Sequence, residues 1–275
     1  MKKVFPVITA LLLTAACIAQ TSGKISLSKG QQFIVNMDTK SHSVTNVMFQ
    51  DMETDMNVSG TYTISVDDIS GDQYQLGITL TKLKMKMNLM GQSMEYDSDK
   101  PDADSSIAEE FKGILNVPRS VFIDQSGHII KTTSFSEEAS PIIQQLGSSG
   151  AESRYAFLAV SPGMQENDSF QTNYTDTSLG TATSIKYIAT SVKGDLATLS
   201  FKGISKTDKT IENFGTSFQT VSEGPVEGVT IVNLRTGVIQ TTKSKIKSTG
   251  KTTGMGQEMA LTAETTNEIT VTESK

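Results

Sequence analysis

Between Met48 and Val66 the even positions read Met48, Gln50, Met52, Thr54, Met56, Val58, Gly60, Tyr62, Ile64 and Val66, while the odd positions from Asp51 to Asp67 are all polar. A repeat of two held this long is a strand with one apolar face. Met48, Met52 and Met56 alone would also suit a helix, but Thr54, Val58 and Tyr62 continue the alternation where a helix would fall out of phase. At about 3.4 Å per residue such a strand would exceed roughly 60 Å if straight, so a bend is expected, at Gly60. The next strand runs from Gln73 to about Leu89, with apolar residues at Tyr74, Leu76, Ile78 and Leu80 and then at Leu83, Met85, Met87 and Leu89. The change of parity between Leu80 and Leu83 predicts a β-bulge, one extra residue that bends the strand further. Met90-Gly91-Gln92 reads as a hairpin tip, with Met94 and Tyr96 on the returning strand.

Between Pro101 and Pro162 the pattern is mixed. Ser106-Ile107-Ala108-Glu109 fits a capping box and predicts a helix of about ten residues ending before Val117-Pro118. Val121 to Ile123 and Ile129 to Thr133 flank Asp124-Gln125-Ser126-Gly127, a hairpin pattern. Ser140 before Pro141 predicts a second helix, through Gln144 and Leu146 to Gly147. Gly147-Ser148-Ser149-Gly150 is the best linker candidate. Beyond about residue 165 alternation returns, at Phe170 and Tyr174, Ile185 to Val192, Ala197 to Phe201, Val229 to Val232, Val238 and Ile239, and Met259 to Val271. The last of these reads as one strand of about fifteen residues.

These elements give a mainly β (α+β) chain: a large, strongly curved antiparallel sheet or two β-rich halves, with a few short helices between about 105 and 158. The halves would be 24–147 and 151–275, or one continuous domain. Gly71-Asp72 before Tyr74, Leu76 and Ile78 is echoed by Gly194-Asp195 before Ala197, Leu199 and Phe201, and Met90-Gly91-Gln92 by Met255-Gly256-Gln257. The Asp124 to Ile130 turn resembles Asn233 to Ile239. A duplicated unit and convergent turn chemistry both explain such short matches.

The first residues add a compartment. Lys2 and Lys3, the apolar run Val4 to Leu13 and the small residues Thr14, Ala15 and Ala16 read as an export signal, too short to span a bilayer. Leu13-Thr14-Ala15-Ala16-Cys17 resembles a permissive lipobox, which would remove 1–16 and put a lipid on Cys17. Cys17-Ile18-Ala19 alternatively suits ordinary cleavage, removing 1–19, and is favoured because Thr14 is weak in a lipobox. That cleavage leaves a mature chain without cysteine, held by its core alone. No later stretch is long and apolar enough for a span, so the expected location is periplasmic or secreted, or the outer membrane if Cys17 is lipidated.

Charge and composition then exclude classes. The 275 residues carry 24 Lys and Arg against 30 Asp and Glu, a net charge of −6, with a pI near 5.1 and no basic run. Nucleic acid and anionic membranes demand clustered cations, so neither is an expected partner. The 35 Thr and 32 Ser suit solvated strand faces.

Leu27-Ser28-Lys29-Gly30-Gln31, the Met90-Gly91-Gln92 hairpin leading to Tyr96-Asp97-Ser98, Ser161-Pro162 before Asn167-Asp168-Ser169-Phe170, and Arg235-Thr236-Gly237-Val238-Ile239 followed by the Gly256 hairpin resemble an uncharacterised, domain-of-unknown-function family of exported β-rich proteins from Gram-negative envelopes. Phe170 stands where Trp is common in that family. The resemblance implies architecture and compartment and no activity. At fold level the sheet with interposed helices also resembles lipoprotein carriers.

Candidate chemistry is sparse. Met85, Met87 and Met94, with Met48, Met52 and Met56, concentrate thioethers. Three readings stand: a soft Cu(I) site, because thioether sulfur matches that ion; simple filling of an apolar strand face; or a flexible face for an apolar ligand or peptide. No His or Cys accompanies them, so no metal site or cofactor is assigned. Asp97, Asp99, Asp102 and Asp104 form an acidic loop that could hold Ca²⁺ but lacks the glycine and distal Glu of an EF-hand, and equally reads as a solvated lead-in to a helix. His42 and His128 read as loop and turn residues. With no nucleophile, metalloprotease, P-loop or dinucleotide motif, no catalytic residue is assigned and the chain is not expected to be an enzyme. The expected function is non-catalytic binding of a lipid, acyl chain or hydrophobic peptide on the concave sheet face, with Met48, Met52, Met56, Met85 and Met87 as its candidate residues. The alternatives are a structural or interaction module meeting another envelope protein, and a Met-rich copper binder.

Overall fold

The computed structural model describes residues 23–47, 50–89, 92–100, 108, 111, 113–133, 152–176, 180–213, 216–254 and 256–274. The leader with Cys17, Met48, Asp102 and Asp104, Ser106 and Glu109 of the capping box, the expected helix at 140–146 and the linker 147–150 lie outside the described residues. Twelve antiparallel strands form one open sheet. They are β1 (Gln32–Val47), β2 (Gln50–Ser70), β3 (Gln73–Leu89), β4 (Gln92–Asp97), β5 (Arg119–Asp124), β6 (Ile129–Thr132), β7 (Ser169–Asp176), β8 (Thr181–Lys193), β9 (Leu196–Asn213), β10 (Thr216–Asn233), β11 (Ile239–Gly254) and β12 (Gln257–Ser274). The order is β6-β5-β3-β2-β1-β12-β11-β10-β9-β8-β7, with β4 also on β3. The first and last strands therefore pair along fourteen residues, from Gln32 opposite Ser274 to Thr45 opposite Leu261.

The alternation forms the strands as expected, and the break in parity is a bulge. Thr61 faces Lys82 while Tyr62 faces Leu80, so Thr81 is the extra residue, one position past Gly60 on the partner strand. A register this long has one solution, because a slip of one residue would turn every apolar side chain to water. The expected hairpins close at Leu89 opposite Gln92, and Asp124 receives the backbone N–H of Gly127 and donates to the carbonyl of His128. The echoed glycine turns all lie between strands of this one sheet, with Gly71, Gly194, Gly237 and Gly256 at positive φ, a conformation that favours glycine.

The few short helices expected between about 105 and 158 are not what the described residues show. One helix of five residues, α1 (Glu152–Ala156), is present, and Ala108 and Phe111 are helical and buried. The chain rejoins the sheet at Leu115, which bridges Leu80 in parallel, and the hairpin expected around 124–127 then forms β5 and β6.

The deepest burial lies at one end of the sheet, on the face shared by Phe33, Val35, Ile64, Leu76, Ile78, Val121, Val232 and Val271. Three segments cover it. Residues 24–27 are stitched to both halves: Ile25 donates to Gln125 O at 2.7 Å, Ser26 to Thr236 O at 2.9 Å, and Tyr74 Oη donates to Ile25 O at 2.9 Å. Phe157, just past α1, sets its ring edge-on to Phe33 at 5.3 Å and bridges Val238. Phe111 lies over Tyr96 at 4.7 Å. The opposite face is polar. Its lysines pair with carboxylates of neighbouring strands, as in Lys84–Asp97 (3.1 Å), Lys206–Glu223 (2.8 Å), Lys243–Glu268 (3.0 Å) and Lys245–Glu264. Each such exposed pair contributes only about 0–1 kcal/mol, so this face provides solubility rather than stability.

Candidate apolar-ligand site

One row of inner-face residues runs across ten strands: Tyr96, Met85, Val58, Thr39, Asn267, Ser244, Gly228, Phe201, Tyr187 and Phe170 are successive register partners. Apolar and aromatic residues occupy both ends and small or polar ones the middle. In the middle the groups satisfy one another, Thr39 donating to Asn267 at 2.8 Å and Asn267 to Ser244 at 3.4 Å. At the far end Phe170 stacks on Tyr187 at 5.0 Å, and Tyr187 packs against Phe201 at 5.3 Å.

Beside that aromatic end the sheet and α1 border a half-open cavity of about 250 Å³. Its apolar wall comprises Leu158, Ile185, Tyr187, Phe201, Val226, Ile246 and Ile269. Gly203, Gly224, Gly228 and Gly250 lie on the apolar parity of the neighbouring strands, where the backbones approach closely. A Cβ at Gly203 or Gly224 would run into the carbonyl of Ser184 or Lys247 on the next strand, so nothing larger fits there. Arg154 and Tyr155 of α1 stand against this wall. The Arg154 guanidinium lies 5.4 Å from the centre of the Tyr174 ring and donates to Thr175 O at 3.3 Å. Burial pushes the Tyr187 phenol well above its ordinary range, and the neighbouring Tyr174 adds to the shift. Larger grooves of about 800 and 1000 Å³ lie against the polar face, but Lys202, Glu227, Lys243 and Glu268 line the first and Lys206, Asp208, Glu223 and Lys251 the second. Their charged walls do not suit an apolar chain.

The expected methionine face is brought together in part. Met56, Met87 and Met94 are register partners on β2, β3 and β4, all half-buried, and Met85 lies one row closer to the core at 5% exposure. Met52 is opposite Thr45, two rows further out, and Met48 lies outside the described residues. The cavity residues were not singled out in the sequence. Their apolar parity on β8 to β12 was legible, but nothing local marks which strand faces share one cavity.

The acidic loop has its described members engaged: Lys84 holds Asp97 at 3.1 Å and Lys82 holds Asp99 at 3.2 Å. The backbone N–H of Asp99 holds the Asp97 carboxyl below the usual range, with Lys84 assisting against partial desolvation. Among the described residues no three His, Cys, Asp or Glu side chains gather as a metal site. His128 is exposed in the β5–β6 turn, its Nδ1 2.9 Å from Ser126 Oγ. Partial burial pushes the Asp124 carboxyl up, but hydrogen bonds from Ser126 and His128 outweigh it and hold the group low. These bonds fix the turn, as Asp does in Asx turns.

No described helix is long and apolar enough to cross a membrane. The sheet is similar to part of lipovitellin, in a structure of its lipid–protein interactions, with a TM-score of 0.53 and 10% identity over 90% of this chain and 25% of that one. The chain thus spans a quarter of that protein's length. Outer-membrane channels also align, one from Pseudomonas putida F1 (TM-score 0.23, 9% identity, 90% of this chain and 98% of that) and Salmonella typhi OmpF with daunomycin (0.24, 7%, 89% and 99%). Likeness at that level falls short of a shared fold. No curated protein matches the chain. Residues 71–178, from the β2–β3 turn through β7, match the model of a family of unknown function (DUF6263).

Proposed function

We propose that the protein is an exported, non-catalytic binder that holds a lipid, acyl chain or hydrophobic peptide against the inner face of its sheet. The observation that carries this reading is the cavity walled by Tyr187, Phe201, Val226, Ile246 and Ile269, an apolar space beside aromatic rings. Ligand sites are typically roughly 300–1,000 Å³. At about 250 Å³ this one suits a short chain or the end of a longer one. Each methylene removed from water contributes about 0.8 kcal/mol, so a few carbons suffice for measurable affinity. The fold shared with lipovitellin is consistent with lipid as the ligand, and the leader and Cys17 support a location in the cell envelope.

The test is the natively exported protein in mild detergent, weighed intact under native and denaturing conditions, followed by uptake of a fluorescent acyl probe. A bound lipid that denaturation removes, and probe uptake lost in Ile246→Phe, which fills the cavity, are expected. A bare chain that takes up no probe sinks the proposal. Denatured mass also separates a diacylated Cys17 from a start at Gln20. A second reading, an interaction module, has its own support in Ile188, Ile204, Val221 and Val229, exposed on the outer face of β8 to β10. It gains if the purified chain is bare and co-isolates with a stoichiometric envelope protein.

A further inference from the structure

The thioethers of the other half form an arrangement that the apolar-ligand reading does not use. Met56, Met87 and Met94 occupy one row on three adjacent strands, Met56 opposite Met87 and Met87 opposite Met94. Directly opposed residues hold their Cβ atoms about 4.5–5.5 Å apart. An unbranched side chain with three rotatable bonds therefore lets the two outer sulfurs swing toward the central one. All three are half-buried, unlike Met85 beneath them, so the row borders water while Val58, Met85 and Tyr96 form an apolar floor.

No carboxylate shares the row. Asp55 and Glu95, the nearest acids in sequence, lie on the opposite face, where Asp55 meets His42 and Glu95 meets Lys86. The next partner on β1 is Ser41, hydrogen-bonded to Thr265 at 3.0 Å. A site offering three thioethers and no hard oxygen or imidazole discriminates by softness: it rejects Ca²⁺, Mg²⁺ and Zn²⁺ and accepts Cu(I). We propose that Met56, Met87 and Met94 form a surface site for one Cu(I) ion, bound through three sulfurs without any change of oxidation state. The site is separate from the cavity, so the protein can hold a metal and an apolar ligand independently.

The experiment is anaerobic competition of the full chain against a Cu(I) chelator, with Ag(I) as a redox-inert surrogate and Zn²⁺ as the hard control. Leu replaces Met at nearly constant volume and apolarity, so Met→Leu variants remove sulfur without removing the core. One Cu(I) per chain is expected, with Met87→Leu and the triple variant Met56→Leu, Met87→Leu, Met94→Leu losing more than the about 10–100-fold that loss of an outer-shell partner costs a metal site. Met164→Leu, buried elsewhere, should leave affinity unchanged. The triple variant must keep its melting temperature within a few degrees, which separates lost ligation from lost fold. Failure of the native chain to compete for Cu(I), or equal affinity in the triple variant, overturns the proposal, and neither outcome bears on acyl-probe uptake.

Discussion

The ring of Phe201 lies in the space that a side chain at Gly228 would fill. The two are register partners on β9 and β10, and a Cβ built on Gly228 comes within 2.5 Å of Phe201 Cζ and closer still to the carbonyl of Lys243 on β11. The same pairing recurs nearer the other end of the sheet, where the Phe218 ring covers Gly254 on the adjacent strand. An aromatic ring laid across a cross-strand glycine restores the packing that the glycine lacks. In the first case it also sets the aromatic wall of the cavity.

Gly228→Ala is expected to destabilise the protein. At an open site, glycine to alanine stabilises by about 0.4–1 kcal/mol through the unfolded chain. Here the added methyl meets a backbone carbonyl, which cannot swing away, so overpacking of about 1–3 kcal/mol reverses the sign. Gly163→Ala, with nothing within 4 Å of its Cβ, should lie within about 0.5 kcal/mol of the native chain. Urea denaturation of the two variants decides the matter, and equal midpoints would mean that the sheet opens freely at Gly228.

Tyr187 makes stability depend on alkaline pH. Its phenol is buried and its folded pKa raised well above the ordinary value, chiefly by desolvation. The unfolded chain releases this proton near about pH 10, while the folded chain keeps it. The contribution is therefore complete below about pH 10 and is lost as pH rises from there through the folded value. Tyr187→Phe should flatten the decline in melting temperature between pH 9 and pH 11 relative to the native chain. Parallel curves for the two proteins would show that the group titrates normally.

The strands were legible because alternation is a local signal: Met52 to Val66 and Tyr74 to Met87 show their faces within any ten residues, and the parity break at Leu80 shows the bulge. The glycine turn at Gly71 was legible for the same reason. The pairing of β1 with β12 was not. Val35 carries no mark that its cross-strand partner is Val271, because every apolar strand face is compatible with every other until the register is closed. Helices between 105 and 158 were overread because a capping pattern reports where a helix can start and not how far it runs: Ala108 and Phe111 are helical, but Leu115 already bridges Leu80 of the sheet. The cavity was hidden for a third reason. Ile185, Phe201, Val226, Ile246 and Ile269 come from five different strands, β8 to β12, and only the closed register sets them around one cavity.

On the polar face, His42 and Asp55 are cross-strand partners with Nδ1 and Oδ1 2.9 Å apart. The hydrogen bond that the His42 ring donates to Asp55 raises the imidazole pKa above 6.5, with charge attraction from Asp55, Glu53 and Glu264 adding to it against desolvation. A raised value means that the pair stabilises the fold below the unfolded value near 6.5 and ceases to do so as pH rises through the folded one. Both groups are exposed, so a site-resolved titration is a better probe than stability. The His42 ring resonances in Asp55→Asn should titrate at lower pH than in the native chain. An unmoved curve would assign the shift to Glu53 and Glu264 instead.

Met85 and Met52, grouped together by sequence, should part company when truncated. Met85 is 5% exposed, between Val58 on β2 and Tyr96 on β4, with Phe111 closing over that ring. Its removal leaves a hole that Val58, already branched and fixed on its strand, cannot fill. Truncating a buried Met to Ala costs about 2–5 kcal/mol, the spread reflecting how far a site collapses. Met52 is half-buried near the open end of β2 opposite Thr45, where lost contacts are replaced by water. Met52→Ala should therefore stay within about 1 kcal/mol of the native chain, and Met85→Ala should lower the urea midpoint at unchanged slope. If both variants melt alike, the methionines form one uniformly exposed face, and the apolar floor argued for the Cu(I) site is absent.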